Sequence, residues 1–149
     1  ELVAAKNDHP LRGDGSRTPL KKIALRDIEQ LQLKEQGLTV DSIPAKDQLV
    51  QLRANSNIST GGDSIDMTDE MHASYKKIAV GISKAMGAAV CGVDLIIPDL
   101  KKPAEPSLLS WGVIEANFNP MMMMHIFPFS GQSRRLTMNV IKMLFPELP

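Results

Sequence analysis

The sequence predicts a mixed α/β (α+β) fold, a mostly antiparallel sheet with helices packed on it. Three observations carry this. Apolar residues recur with 3–4 spacing from Thr68 onward, at Tyr75, Ile78, Ala79, Ile82, Ala85 and Met86. A nearly continuous apolar run over 88–97 reads as a buried strand, and WGVIEAN at 111–117 as a second strand. Segments rich in Pro, Gly and small polar residues, such as HPLRGDGSRTP at 9–19, punctuate the rest as loops.

The elements follow in order. Residues 1–8 read as the end of a helix, because ELVAAKN has no capping residue before it. That uncapped start, and a first residue that is not Met, suggest a piece of a larger protein. From Ile23 a helical pattern places Leu25, Ile28, Leu31 and Leu33 in a partly apolar stripe, with Gly37 as its stop. LVQLRA at 49–54 reads as a short strand and SNISTGGDSIDMTD as a polar loop. Thr68 can cap the best helix, Asp69 and Glu70 suit its positive end, and Gly87 can end it. A Pro-rich connection over 98–110 joins the two strands. Residues 119–133, with their MMMM run, read as a loop, and 134–145 as a last helix stopped by Pro146.

Composition narrows the function. The 149 residues carry 17 Lys+Arg and 17 Asp+Glu, for a formal net charge of zero. A general nucleic-acid binder would need a basic excess, so none is expected. No apolar run approaches the roughly 20 residues of a membrane span. The single Cys91 excludes an intrachain disulfide framework and fits a reducing, cytoplasmic compartment.

Two acids interrupt the apolar strands. Asp94 lies within VCGVDLII, and Glu115 and Asn117 within WGVIEAN. Alternation puts Glu115 and Asn117 on one face, and an antiparallel pairing can set Asp94 opposite Glu115. Carboxylates brought together raise each other's pKa unless a cation is present. Two carboxylates and an amide oxygen are hard ligands that suit Mg²⁺. Two other readings stand beside this one: solvent-facing acids on a half-exposed sheet, and a general acid–base pair of the glycosidase kind. The latter is disfavoured by a chain with one Trp and one Tyr.

Arg53 is followed by Asn55, Asn57, Ser59, Thr60, Gly61 and Gly62. Adjacent glycines can bring backbone N–H groups close to an oxyanion, and an Arg at the base offers a planar fork for phosphate or carboxylate. This is not a Walker A motif, since no Gly-Lys-Ser/Thr follows. An ordinary polar turn is the plain alternative. RGDGSR at 12–17 is also read as a plain turn. Cys91 reads as structural and His72 as a surface residue. His125, Arg134 and Arg135 are each divided between packing or surface roles and contact with an anion.

The order of these motifs is informative. Arg53 through Gly62, then CGVDLIIPD, GVIEANFNP, MHIFPFSGQSRR and LFP, resembles the C-terminal part of an ATP-grasp ligase. It is similar to cyanophycin synthetase and, more closely, to the glutathione synthetase module of bacterial bifunctional glutamate–cysteine ligase/glutathione synthetases. The resemblance covers essentially all 149 residues. It implies ATP-dependent joining of γ-glutamylcysteine and glycine through an acyl phosphate. Metal ligands are then implied at Asp94, Glu115 and Asn117, holding Mg²⁺ or Mn²⁺. Arg53 is implied as the catalytic cation beside the transferred phosphoryl group. Asn57, Gly61 and Gly62 are implied at the nucleotide. Arg53 and the Gly61–Gly62 turn are expected to border the same space as the metal ligands, since a basic fork and an N–H-rich turn both suit an anion.

One departure from the family is expected. The N-terminal half that clamps the nucleotide is not found in residues 1–149. The implied partners are therefore the rest of a parent chain and small-molecule substrates, with self-association through an uncovered apolar face as a further expectation. A non-catalytic piece that binds a metal or a partner is the alternative.

Overall fold

The computed structural model describes residues 1–105 and 111–147. They form two units, Glu1–Ser64 with Phe127–Phe129, and Ile65–Ile126 with Ser130–Pro149.

The first unit opens with α1 (Leu2–Asn7). Two short strands, β1 (Arg12–Gly13) and β2 (Leu20–Lys21), then pair in parallel with Arg12 beside Leu20. Helix α2 (Asp27–Glu35) begins where the Glu29 carboxylate accepts the Arg26 backbone N–H at 3.0 Å. It ends at Gly37, whose φ of 70° lets its N–H reach the Lys34 carbonyl while Leu38 bonds back to Leu33. The expected stop at Gly37 is therefore present. The expected stripe is not. Ile28 and Leu31 are both 59% exposed, and the buried pair one turn apart is Glu29 and Leu33.

Side-chain amides do the work of ladder partners in this unit. Asn7 donates Nδ2 to the Ile23 carbonyl and accepts the Ile23 N–H at Oδ1, at 2.9 and 2.8 Å. Gln36 does the same for Gln51, at 2.6 and 3.0 Å. The strand expected at 49–54 is not formed: the segment is irregular, with bends at Leu52 and Ala54, and its Gln51 pairs to a side chain. A 3₁₀ turn, η1 (Ile58–Thr60), follows.

The second unit is built on helix α3 (Ala73–Ala85) and the antiparallel hairpin β3 (Gly92–Ile96) and β4 (Gly112–Asn117). Both strands fall inside the expected segments, but the expected burial of the first is not found: every residue of β3 and β4 is half-buried or exposed. Part of the connection expected at 98–110, residues 106–110, lies outside the described residues. Helix α3 starts five residues later than the Thr68 cap expected from sequence. The Thr68 hydroxyl donates to Asp66 at 2.6 Å, and the cap is His72, whose Nδ1 accepts the Ser74 N–H at 3.2 Å. Its end is as expected: Gly87, at φ 66°, bonds to Lys84 and Ala88 to Ser83.

Residues 119–133, expected as a loop, hold one helical turn, α4 (Met123–Ile126), which takes the last two Met of the MMMM run. Helix α5 (Leu136–Leu144) closes the chain with Arg135 at its N-cap. The mixed α/β class holds, but the single mostly antiparallel sheet does not. Among the described residues there are two separate two-stranded pairs, one parallel and one antiparallel.

Leu20, Leu33 and Tyr75 are the buried apolar residues among those described. Tyr75 is 3% exposed and meets Trp111 edge-on, with ring centroids 6.1 Å apart. Tyr75→Ala should lower stability by about 3 kcal/mol, the usual cost of deleting a buried ring. Urea unfolding followed by Trp111 fluorescence checks this, because the only Trp sits against the deleted ring.

Candidate functional site

The hairpin β3–β4 brings the sequence-predicted acids together. Asp94 is the direct cross-strand partner of Glu115, and Gly92 that of Asn117. Opposed residues of an antiparallel pair share a face, as do residues two apart on one strand. Asp94, Glu115 and Asn117 therefore line one face. A bulge after this point sets Leu95 against Val113, leaving Ile114 as the extra residue. The three ligand-type residues lie on its regular side, so their parity is kept.

Asn117 is the distinctive member. Its Oδ1 is buried and has no hydrogen-bond partner. It lies over Gly92, where an added Cβ would come within 2.8 Å of Oδ1. Asp94 and Glu115, beside it, are exposed. An unpartnered buried oxygen costs about 1–3 kcal/mol. A cation shared with two neighbouring carboxylates would satisfy it. Among the described residues, no group of three His, Cys, Asp or Glu side chains is placed to hold a metal. Such a site here must use the amide oxygen. The sequence did not single out Gly92, whose missing side chain leaves the space that the Asn117 amide occupies across the strand pair.

Arg53, Gly61 and Gly62 lie in the first unit, where they line a cavity of about 220 Å³ with Lys6, Thr60 and Asp63. Asn57 sits beside it as the N-cap of η1. Arg53 is not free. Its Nε donates to the Glu29 carboxylate, which is 2% exposed. Burial pushes the Glu29 carboxyl up, but Arg53 and the N–H groups of Glu29 and Arg26 outweigh it and hold the pKa below its usual value. The terminal nitrogens of Arg53 have no hydrogen-bond partner among the described residues, so half of the fork remains to meet an anion.

The glycine turn differs from the expected anion nest. The Gly61 N–H donates to Ile58 at 3.1 Å and the Gly62 N–H to Asn57 at 3.0 Å. The 3₁₀ turn uses the donors that an oxyanion would need. Both positions instead require glycine for space. An added Cβ would lie 2.8 Å from Ile23 at Gly61, where φ is also 105°, and 2.2 Å from the Ser56 carbonyl at Gly62.

Arg12 was read as part of a plain turn, and the structure makes it the buried centre of this region. Its side chain has no exposure. Nη1 donates to the carbonyls of Lys21 and Gly61, at 2.7 and 3.0 Å, and Nη2 donates to Asp63. No periodic pattern surrounds Arg12, so nothing in the sequence marks it as buried.

In the second unit Arg134 is committed to protein partners. It donates from Nε and Nη2 to Asp66, and from Nη2 to Asp69 at 2.7 Å. These bonds make an internal latch between Arg134 and the acids at 66 and 69. The His125 carbonyl accepts the Arg134 backbone N–H at 3.0 Å. No helix among the described residues is long and apolar enough to cross a membrane.

No family model matches the chain. Curated relatives do. The glutathione biosynthesis bifunctional protein GshAB of Mannheimia succiniciproducens is 90% identical over 148 residues, covering 99% of this chain and 20% of its own length. The protein of the same name from Enterococcus faecalis is 60% identical over 148 residues, with the same coverage. A crystal structure of a bifunctional glutathione synthetase from Pasteurella multocida is 89% identical, with a TM-score of 0.89 over 99% of this chain and 20% of that one. The chain spans about a fifth of the length of the curated relatives it matches.

The Asp66 latch has a pH signature. Hydrogen bonds from Arg134, then from the Thr68 hydroxyl, hold its carboxyl well below the usual value of 3.8, against a smaller upward push from burial. A depressed folded-state pKa contributes stability that is whole above the unfolded value and is lost as pH falls below it. The chain should therefore lose stability below about pH 4, and Asp66→Asn should flatten that part of the profile. Denaturant midpoints measured between pH 2 and 7 test this. Parallel slopes for the two proteins would remove Asp66 as the source.

Proposed function

We propose that residues 1–149 are the C-terminal portion of an ATP-grasp domain in a glutathione-forming ligase. The parent would join γ-glutamylcysteine to glycine with ATP, through an acyl phosphate, in the cytoplasm. The observation that carries this reading is the shared face of Asp94, Glu115 and Asn117, with the Asn117 oxygen buried and unpartnered. The names of the relatives support the substrate class; the wider ATP-grasp assignment rests on the order of motifs from Arg53 to the LFP at 144–146.

The roles follow from donor chemistry. Asp94 and Glu115 offer hard carboxylate oxygens and Asn117 a neutral one, a set that suits Mg²⁺ and accepts Mn²⁺. When bound, the ion neutralises phosphate charge during phosphoryl transfer. Arg53 keeps one edge of its guanidinium for the transferred phosphoryl group, while Glu29 fixes the other and sets the plane of the fork. Asn57, Gly61 and Gly62 border the nucleotide in this reading. Since both glycine amides are internally bonded, they act by close approach rather than by donation.

In the full-length protein, ADP release should require γ-glutamylcysteine, glycine and Mg²⁺ together. Asp94→Asn and Glu115→Gln should each raise the Mg²⁺ needed for half-maximal rate by about tenfold or more, at least the cost of losing an outer-shell partner. Unchanged Mg²⁺ dependence would remove the metal site. Absence of any substrate-dependent ADP release would favour a non-catalytic binding segment.

Arg53→Ala should lower kcat by about a hundredfold and change the KM for ATP by less than about threefold, because its charge is used as the transition state forms. Steady-state kinetics with ATP varied at saturating γ-glutamylcysteine and glycine separate the two effects. A variant with the parent kcat would take Arg53 off the reaction path.

A further inference from the structure

We infer that Arg12 is a positioning residue for the Arg53 cavity, holding the Gly61–Gly62 turn and Lys6 in place through Asp63. The inference rests on the functional reading above. Arg12 touches no open space, since its side chain has no exposure. Its Nη1 holds the carbonyl of Gly61, and its Nη2 holds the Asp63 carboxylate. These residues lie 49 and 51 positions away in sequence, and both line the cavity.

Asp63 carries the effect one step further. Its other oxygen meets the Lys6 ammonium at 2.7 Å. Lys6 is about half exposed and lines the same cavity. One buried guanidinium thus sets the place of a glycine turn and of a cation on the cavity wall. The turn cannot hold its position through its amides alone, because those bonds close within residues 57–62 and do not tie it to β1 or β2. The Gly61 carbonyl, held by Arg12, is a tie of the turn to the strand pair.

The geometry asks for arginine. A lysine could meet Asp63, but a single ammonium on a flexible stem does not reproduce two nitrogens fixed in one plane. Stability alone is a weak reason for this arrangement, since a buried ion pair can often be replaced by apolar residues at little cost.

The test uses Arg12→Lys in the full-length protein, with two readouts. Circular dichroism should show a folded protein. Its kcat for ADP release should fall about tenfold or more, as misplacement near 1 Å does elsewhere, with the KM for ATP within about threefold. Hydrogen exchange at the Gly61 and Gly62 amides should quicken by about tenfold as the turn loosens. If Arg12→Lys does not fold, the same readouts are taken on the double variant Arg12→Met/Asp63→Leu, which removes both charges together.

Parent-like kcat with unchanged exchange would overturn the inference. So would a loss of activity that only tracks the unfolded fraction. If the unsubstituted full-length protein releases no ADP, the functional reading fails. The exchange rates then still decide whether Arg12 positions the turn.

Discussion

A guanidinium with no access to water organises the first unit. Arg12 brings a carboxylate and two carbonyls to one point, and these come from β2 and from the turn after η1. Removing a cation from water is expensive unless partners surround it. Asp63 supplies the opposite charge, and Lys6 shares that carboxylate from outside. The path of residues 58–63 is therefore set by where Arg12 can be neutralised. The cavity beside them, and the placing of Gly61 and Gly62 on its wall, follow from that requirement.

The same unit has little regular sheet, and the reason is visible in its amides. Asn7 and Gln36 each present one donor and one acceptor to a single backbone residue, Ile23 and Gln51. Each such pair satisfies what a strand neighbour would otherwise satisfy. The segment at 49–54, which looks like a strand by composition, can then stay outside any ladder. Glu29 shows the same economy. It receives the N–H at the start of α2 and also holds Arg53. One buried carboxylate joins a helix start to a residue of the candidate site.

The second unit reaches its chemistry through pairing. The register sets Asp94 across from Glu115, and Gly92 leaves room for the Asn117 amide to fold over the strand. The bulge at Ile114 falls beyond these residues. Arg134 is used elsewhere: it ties residues 66–69 to the segment before α5 through two carboxylates.

Much of this was legible in order of residues. Helix α3, its glycine stop, the two strands of the hairpin and the shared face of Glu115 and Asn117 all follow from local rules of spacing, capping and alternation. Those rules act within a few residues and need no partner. The start of α3 differs from the expected Thr68 cap: His72 Nδ1 accepts the Ser74 N–H there, while the Thr68 hydroxyl donates to Asp66. The burial of Arg12, the pairing of Arg53 with Glu29 and the internal use of the Gly61 and Gly62 amides were not legible. Burial and charge neutralisation depend on contacts between positions tens of residues apart, as between Arg12 and Asp63. A charged residue in a polar, glycine-rich segment looks the same in sequence whether it faces water or lies beneath a turn. Folding separates the two cases, because only in the folded chain is there a carboxylate within reach to offset the loss of hydration.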